Sequence, residues 1–152
     1  MTAQTSGIPA APTVLVVGAG PGVGAAVARR FGRDGYRVGL VARDRGRLDL
    51  LVHELEAGGV HAAAAVADAR RPEHLQVAVR ELAVRLGPAR VLCFSPLPDV
   101  GLIKPVLDTS PQDLLASLEL NVVGAAAAAR RSCPQCTIAA AGRCCSLPAA
   151  PP

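Results

Sequence analysis

Short apolar runs alternate with stretches of helical periodicity along residues 13–129. Residues 14–17, 37–42, 60–66 and 91–94 consist mainly of aliphatic or small side chains. Such runs are typical of strands that a parallel sheet buries on both faces. The pattern therefore predicts four strands in this part of the chain.

Between these runs, apolar residues recur at three- or four-residue spacing, which predicts helices. The second helix is expected to end at Gly58-Gly59, and Pro72 suits the first position of the third. Ser110 to Asp113 has the form of a capping box, which predicts a fourth helix running past Asn121. The apolar positions that define the four helices are Val23, Val27 and Phe31; Leu48, Leu51, Val52 and Leu55; Leu75, Val79 and Leu82; and Leu114, Leu118 and Val122.

Strands that alternate with helices predict an α/β fold, a Rossmann-like doubly wound parallel sheet. We expect this sheet to be truncated after the helix that carries Asn121, because neither period continues beyond residue 129. The length of 152 residues, with 51% hydrophobic side chains, suits one core. The expected organisation is a flexible tail over residues 1–12, an incomplete nucleotide-binding domain over 13–129, and an irregular tail over 130–152.

The glycine-rich turn after the first strand is the strongest candidate binding site. Gly18, Gly22 and Gly24 give the spacing G-x-x-x-G-x-G, with Gly20 and Val23 between them. At a strand-to-helix corner, unpaired N–H groups and the helix dipole favour a phosphate. Glycine lets the phosphate approach the backbone closely, although glycine also serves plain turns, and both interpretations stay open.

Two charged residues follow the second and third strands. Arg43 stands where a βαβ nucleotide site meets the adenosine ribose, and an arginine there pairs with a 2′-phosphate. The alternative is a solvated Arg43 beside Asp44 acting as a helix N-cap. Asp68 either accepts a hydrogen bond from an adenine amino group or begins the next turn.

Charge and composition disfavour several classes of protein. The net charge of +4 comes from scattered arginines, Lys104 is the only lysine, and aromatic residues make up 2% of the chain, so nucleic-acid binding is not expected. Residues 1–12 lack the pattern of a signal peptide, and no segment reaches the ~20 apolar residues of a membrane span. The three histidines show no metal-ligand spacing. We therefore expect a cytoplasmic protein without a metal site.

Taken together, the motifs resemble the short-chain dehydrogenase/reductase family. The resemblance covers residues 14–129 and includes the glycine turn, Ala42-Arg43, Asp68 and Asn121-Val122-Val123-Gly124. It implies an oxidoreductase that transfers hydride between NADP(H), preferred over NAD(H), and a carbonyl or alcohol substrate. The residues it assigns to the cofactor are Gly18, Gly20, Gly22, Val23, Gly24, Arg43, Asp68 and Ser95. It places Asn121 in the catalytic tetrad, where the family's asparagine kinks its helix, whereas a buried asparagine that satisfies backbone groups is the rival interpretation.

Three departures from the family pattern limit what the resemblance implies. Phe94-Ser95-Pro96-Leu97 replaces the usual Asn-Asn-Ala-Gly, so contacts near the cofactor ribose must differ. Pro21 removes one N–H from the glycine turn. The family's catalytic Tyr-x-x-x-Lys is missing, because Tyr36 is the only tyrosine and Lys104 has no tyrosine four residues before it. We therefore expect this chain to be inactive by itself.

The segment from residue 130 onward holds four of the five cysteines and shows neither period. Shifted by one nucleotide with free choice of synonymous codons, it can be read VLPAVHDRGRGPLLFTTGGAA from Arg131 onward, which resembles the family's continuation. We hypothesise an out-of-frame tail caused by a frameshift. A zinc or redox site built on Cys133, Cys136, Cys144 and Cys145 is the alternative.

A sheet that stops at the fourth strand would leave an apolar edge, which predicts self-association. A stable, monodisperse monomer would contradict that expectation. Three functions remain: an NADP(H)-dependent oxidoreductase represented by its cofactor-binding half, a non-catalytic NADP(H)-binding or regulatory module, and a zinc or redox protein.

Overall fold

A four-stranded parallel sheet forms the centre of the fold. The computed structural model describes residues 11–98 and 100–132. Its strands are β1 (Thr13–Val17), β2 (Arg37–Ala42), β3 (Ala62–Val66) and β4 (Ala89–Phe94), in the order β3-β2-β1-β4. All neighbouring strands pair in parallel. The predicted α/β, Rossmann-like class is confirmed.

Helices connect successive strands. The first three are α1 (Val23–Arg33), α2 (Arg45–Ala57) and α3 (Pro72–Leu86). After β4 the chain forms two short 3-10 turns and α4 (Pro111–Leu118), a π-helical segment (Glu119–Gly124) and α5 (Ala125–Ser132). No helix within the described ranges is both long and apolar enough to cross a membrane.

Each face of the sheet has its own apolar core, because successive side chains of a strand point to opposite faces. Val14 and Val16 face α1 and α2, whereas Leu15 and Val17 face α3 and α5. All five residues of β1 are buried. The sheet is therefore doubly wound, as predicted.

Two predicted strand boundaries are wrong by two residues. The strand predicted from Val60 begins at Ala62, because the N–H of Val60 donates to the carbonyl oxygen of Leu55 and completes the end of α2. The strand predicted from residue 91 begins at Ala89, which pairs with Thr13 across an irregularity in the ladder.

The apolar stripe predicted for α4 is exposed, and that of α1 matches the buried face only in part, because Val27 and Phe31 pack partly buried against the core but Val23 does not. In α1 the buried residues are Gly24, Ala25 and Ala28, whereas Val23 is 63% exposed. Small residues suit the buried face because they let the helix lie close to the sheet. Leu114 of α4 is also exposed, as are Leu118 and Val122 after it.

Strand β4 forms one edge of the described sheet. Its residues are half-buried, except for the exposed Arg90. Self-association at this edge stays a prediction. The cysteines at 133, 136, 144 and 145 lie outside the described residues. So does the proposed frameshift tail, except for its first three positions, 130–132.

Candidate functional site

A cavity of about 170 Å³ opens where the carboxyl ends of β1, β2 and β3 meet. In open parallel sheets, ligands bind at this edge. The cavity brings the glycine turn, Arg43 and Asp68 together. Its walls are formed by residues 17–21, 41–44, 47, 67–70, 96, 97, 102 and 120.

Gly18 and Gly24 shape the glycine turn through close backbone packing. Gly18 has a φ of +91°, and a Cβ there would overlap the carbonyl oxygen of Ser95. A Cβ on Gly24 would overlap the carbonyl oxygen of Gly18. The N–H groups of Gly18 and Ala19 both donate to the carbonyl oxygen of Val41, at 2.8 and 3.1 Å. These contacts fix the turn between β1 and β2.

Gly20 has a different role. It lines the cavity, its φ is not positive, and an added Cβ would meet no protein atom within 4 Å. Protein packing therefore does not require glycine at this position, whereas a group approaching the backbone from the cavity would. Gly22 is equally open, although it does not line the cavity.

The first turn of α1 offers backbone donors beside Gly20. Gly22 is the N-cap, and the N–H groups of Val23 and Gly24 donate to no backbone oxygen within residues 11–98 and 100–132. Such amides and the helix dipole suit a phosphate. The turn thus places open space at Gly20 near two helix amides, although Val23 and Gly24 do not line the cavity.

Arg43, Asp44 and Arg47 form the wall at the end of β2. Asp44 is the N-cap of α2, as the alternative interpretation of this segment predicted, and its Oδ1 accepts from the N–H of Arg47 at 3.1 Å. Its Oδ2 lies 3.3 Å from Nε of Arg47. Arg43 lines the same wall.

Asp68 lies opposite, in the turn after β3. Its Oδ1 accepts from the backbone N–H of Arg70 at 3.0 Å, and its Oδ2 lies 2.9 Å from Nη2 of the Arg70 side chain. Asp68 therefore begins the turn, as one of its two interpretations predicted. The hydrogen bonds from the Arg70 side chain, with smaller effects from its backbone N–H and from the charge of Arg43, lower the pKa of Asp68. At neutral pH the side chain is a carboxylate.

Asn121 lies in the π-helical segment but does not line the cavity. Its Nδ2 donates to the carbonyl oxygen of Ser117 at 3.0 Å, and the residue is exposed. The burial expected by the rival interpretation is therefore wrong, whereas its expectation that the side chain satisfies a backbone group is confirmed. Leu120, the preceding residue, is 4% exposed and contributes the cavity wall instead.

Gly124 anchors the π-helical segment against the Asp68 turn. A Cβ on Gly124 would overlap the carbonyl oxygen of Ala69 and would lie 3.2 Å from Cζ of Phe94. The helix that carries Asn121 is thus held against the loop that carries Asp68.

Ser95, Tyr36 and Lys104 lie outside the cavity lining. The N–H of Ser95 donates to the carbonyl oxygen of Val17 at 2.8 Å, so its backbone continues the β1–β4 contact. The Tyr36 ring packs edge-on against Phe31 at a centroid distance of 4.9 Å. Lys104 pairs with Asp113 at 3.0 Å. The only tyrosine and the only lysine of the chain therefore have structural contacts.

Arg47 and Arg70 also line the cavity and were not among the predicted site residues. Arg47 follows Arg43 by four residues across the start of α2, and Arg70 follows Asp68 by two, which is the spacing of a local side-chain hydrogen bond. Both spacings are visible in the sequence. In the described part of the chain, no three histidine, cysteine, aspartate or glutamate side chains come together as metal ligands would.

A family model and several curated proteins match this chain. The family model described as short chain dehydrogenase matches residues 12–145. The chain is 44% identical over 73 residues to the A-factor type gamma-butyrolactone 1′-reductase (1S-forming) of Streptomyces virginiae, covering 48% of this chain and 28% of that protein.

Two solved structures share the fold. A variant of actinorhodin polyketide ketoreductase with NADPH superposes with a TM-score of 0.72 at 27% identity, covering 81% of this chain and 46% of that one. A blue fluorescent protein from a metagenomic library, in complex with NADPH, gives a TM-score of 0.74 at 28% identity, with coverages of 82% and 51%. The chain spans about a third of the length of the curated relatives it matches and about half that of these structures.

Proposed function

This chain belongs to the short-chain dehydrogenase/reductase family of NAD(P)-dependent oxidoreductases, and on that premise we propose that its cavity binds NADP(H) in preference to NAD(H). The observation that carries the proposal is the arrangement of Gly20, Arg43 and Asp68 around one cavity at the carboxyl edge of the sheet. Both superposed structures named above contain NADPH, which supports the same cofactor class.

The residues present fit such a cofactor. The open backbone at Gly20 and the amides of Val23 and Gly24 would hold the pyrophosphate. Arg43 would pair with the 2′-phosphate, because a guanidinium donates two parallel hydrogen bonds to phosphate oxygens. The Asp68 carboxylate, kept ionised by Arg70, would accept from the adenine amino group. Gly18 would contribute to the cofactor site by shaping the glycine turn.

When bound, the cofactor supplies hydride transfer to or from a small carbonyl or alcohol substrate. The proton at the substrate oxygen needs a separate acid or base, and the family's Tyr-x-x-x-Lys pair does not occur in this sequence. Asn121 remains the proposed member of the catalytic tetrad, at the irregular helix where the family's kink is expected. We therefore propose cofactor binding without turnover for this chain alone.

A non-catalytic NADP(H)-binding module is the second candidate. The contacts of Tyr36 with Phe31, and of Lys104 with Asp113, favour it, since they leave neither side chain at the cavity. The two candidates differ in what the whole protein does and agree on what this cavity binds.

Titration of the purified chain with NADPH and NADH tests the proposal directly. We expect NADPH fluorescence to change saturably, with a Kd at least about tenfold lower than for NADH, because each charge-assisted hydrogen bond to the 2′-phosphate contributes about 1.5–3 kcal/mol. Arg43→Ala should remove most of that difference while leaving NADH binding nearly unchanged. Equal affinities for both cofactors would contradict the assignment of Arg43.

A turnover assay then separates the two candidates. NADPH oxidation should stay at the background rate with a panel of small ketones and aldehydes. If a downstream segment supplies Tyr-x-x-x-Lys, resequencing across the codons for residues 129–152 and past the stop should reveal it, and the corrected protein should reduce a carbonyl. An unchanged frame without that motif would favour the binding module.

A further inference from the structure

We infer that Arg47 is a second ligand for the 2′-phosphate of the cofactor and determines specificity together with Arg43. The inference rests on the proposed NADP(H) site and goes beyond it, since the glycine turn, Arg43 and Asp68 alone carry that proposal. Arg43 and Arg47 line the same wall of the cavity, on either side of the N-cap of α2.

The Arg47 guanidinium contacts Asp44 through one edge. Asp44 accepts from the Arg47 backbone N–H at 3.1 Å and lies 3.3 Å from its Nε. A guanidinium has five N–H donors, so contact at Nε leaves the terminal Nη groups for another acceptor. An arginine oriented by such an exposed contact loses slightly less conformational freedom when it binds a phosphate.

Arg47 also offsets the negative charge of Asp44 at the end of β2. Asp44 lines the wall directly after Arg43, and its carboxylate would repel a 2′-phosphate. The ion pair with Arg47 offsets that charge while preserving the N-cap hydrogen bond. Removal of Arg47 would therefore both delete a phosphate ligand and leave the carboxylate of Asp44 without that ion pair.

Arg45 provides a matched control from the same helical turn. It is exposed, does not line the cavity, and has an oppositely charged neighbour, Asp49, at 3.9 Å. Arg45→Ala removes the same net charge from the first turn of α2 as Arg47→Ala does. Any difference between the two variants thus reports position rather than total charge.

The experiment measures Kd for NADPH and NADH in wild-type protein, Arg47→Ala, Arg47→Lys and Arg45→Ala at one ionic strength. We expect Arg47→Ala to weaken NADPH about tenfold or more and NADH less than about twofold, as loss of a charge-assisted contact with the phosphate predicts. Arg47→Lys should be intermediate, because it keeps the charge but not the planar fork. Arg45→Ala should resemble wild type.

A second measurement isolates the phosphate itself. Adenosine 2′,5′-bisphosphate and adenosine 5′-monophosphate differ at the 2′-phosphate, and Arg47→Ala should reduce their affinity difference by the same factor as for the dinucleotides. Equal weakening of NADPH and NADH would assign Arg47 a purely structural role and overturn the inference. So would an Arg47→Ala variant that matches Arg45→Ala.

Failure of the proposed function gives a different result from failure of this inference. Wild-type protein that binds neither dinucleotide would overturn both. Wild-type protein that prefers NADPH, with Arg47→Ala showing the same preference, would overturn only the role of Arg47. A thermal melt of each variant checks that the fold is intact, and we expect Arg47→Ala to fold because its side chain is 68% exposed.

Discussion

Gly18 and Gly20 lie two residues apart in the glycine turn, but their replacement by alanine should affect different properties. Gly18→Ala should destabilise the fold, whereas Gly20→Ala should weaken cofactor binding. Gly18 has a φ of +91°, which costs an alanine about 1–2 kcal/mol. Its Cβ would also overlap the backbone of Ser95, and such overpacking costs about 1–3 kcal/mol. Gly18→Ala should therefore lower the free energy of unfolding by about 2–5 kcal/mol, a large share of the ~5–15 kcal/mol typical of a domain.

Gly20→Ala should leave the fold intact and impair the cavity. Its φ is not positive, and an added Cβ meets no protein atom within 4 Å. The unfolded chain loses entropy, so stability should stay the same or rise by up to about 1 kcal/mol. A methyl group against the pyrophosphate should cost about 1–3 kcal/mol of binding, or roughly five- to 150-fold in the Kd for NADPH.

Urea unfolding followed by circular dichroism gives the stability, and NADPH fluorescence gives the affinity. Gly35→Ala is the matched control for backbone strain, because Gly35 has a φ of +82° but open space around its Cβ position. It should lose only the strain component, about 1–2 kcal/mol. The excess loss in Gly18→Ala then measures the overlap with Ser95.

Two results would refute this division of roles. If Gly18→Ala and Gly35→Ala unfold at the same urea concentration with the same slope, the approach of Gly18 to Ser95 does not constrain the turn. If Gly20→Ala binds NADPH as wild type does, the cofactor does not approach the backbone at Gly20.

Two further predictions concern the segment after β4. Gly124→Ala should lower the free energy of unfolding by about 1–3 kcal/mol, because its Cβ would overlap the carbonyl oxygen of Ala69. Gly101→Ala is the control and should not lower it, because the Cβ there has open space. Equal urea midpoints for the two variants would contradict the contact between Gly124 and Ala69. Hydrogen bonds from the backbone and side chain of Ser110, followed by that from Lys104, lower the pKa of Asp113 to about 2. The stabilisation from this depressed pKa is complete above the ordinary aspartate pKa and is lost as pH falls through about 2. Ser110→Ala keeps the backbone hydrogen bond and loses that of the side chain, so it should partly flatten the acid side of the stability profile, whereas Ser110→Thr should not.

Proline and glycine at the ends of helical segments mark some element boundaries correctly. Helix α3 begins at Pro72, as expected, and ends at Leu86. Pro72 lacks the N–H that a first helical turn leaves unpaired, and Gly87, with a φ of +83°, stops the helix. Before β3, Gly58-Gly59 marked the end of α2 correctly, but the strand began two residues later than predicted, because Val60 still bonds to Leu55 of that helix.

Tertiary contacts decided what the sequence pattern left open. Val23 fits the helical period of α1, but the helix turns its small residues Ala25 and Ala28 to the sheet. Arg47 shows a plain i+4 spacing from Arg43, and only the packing of α2 beside the glycine turn makes it a cavity residue. A period identifies a helix, whereas the face that is buried depends on what the neighbouring strand leaves room for.

The glycine motif combines two constraints that the sequence does not separate. Gly18 and Gly24 meet backbone atoms of the protein itself: Gly18 packs against the segment after β4, and Gly24 packs the first turn of α1 on the end of β1. An added Cβ at Gly20 or Gly22 would meet no protein atom, but Gly22 has a φ of −90° and a ψ of −123°, outside the regions that L-residues favour, so only Gly20 is left open by the fold itself. Glycine at positions that the fold leaves open indicates a requirement from outside the protein. Because Gly20 lines the cavity that also contains Arg43 and Asp68, a bound phosphate is the simplest source of that requirement.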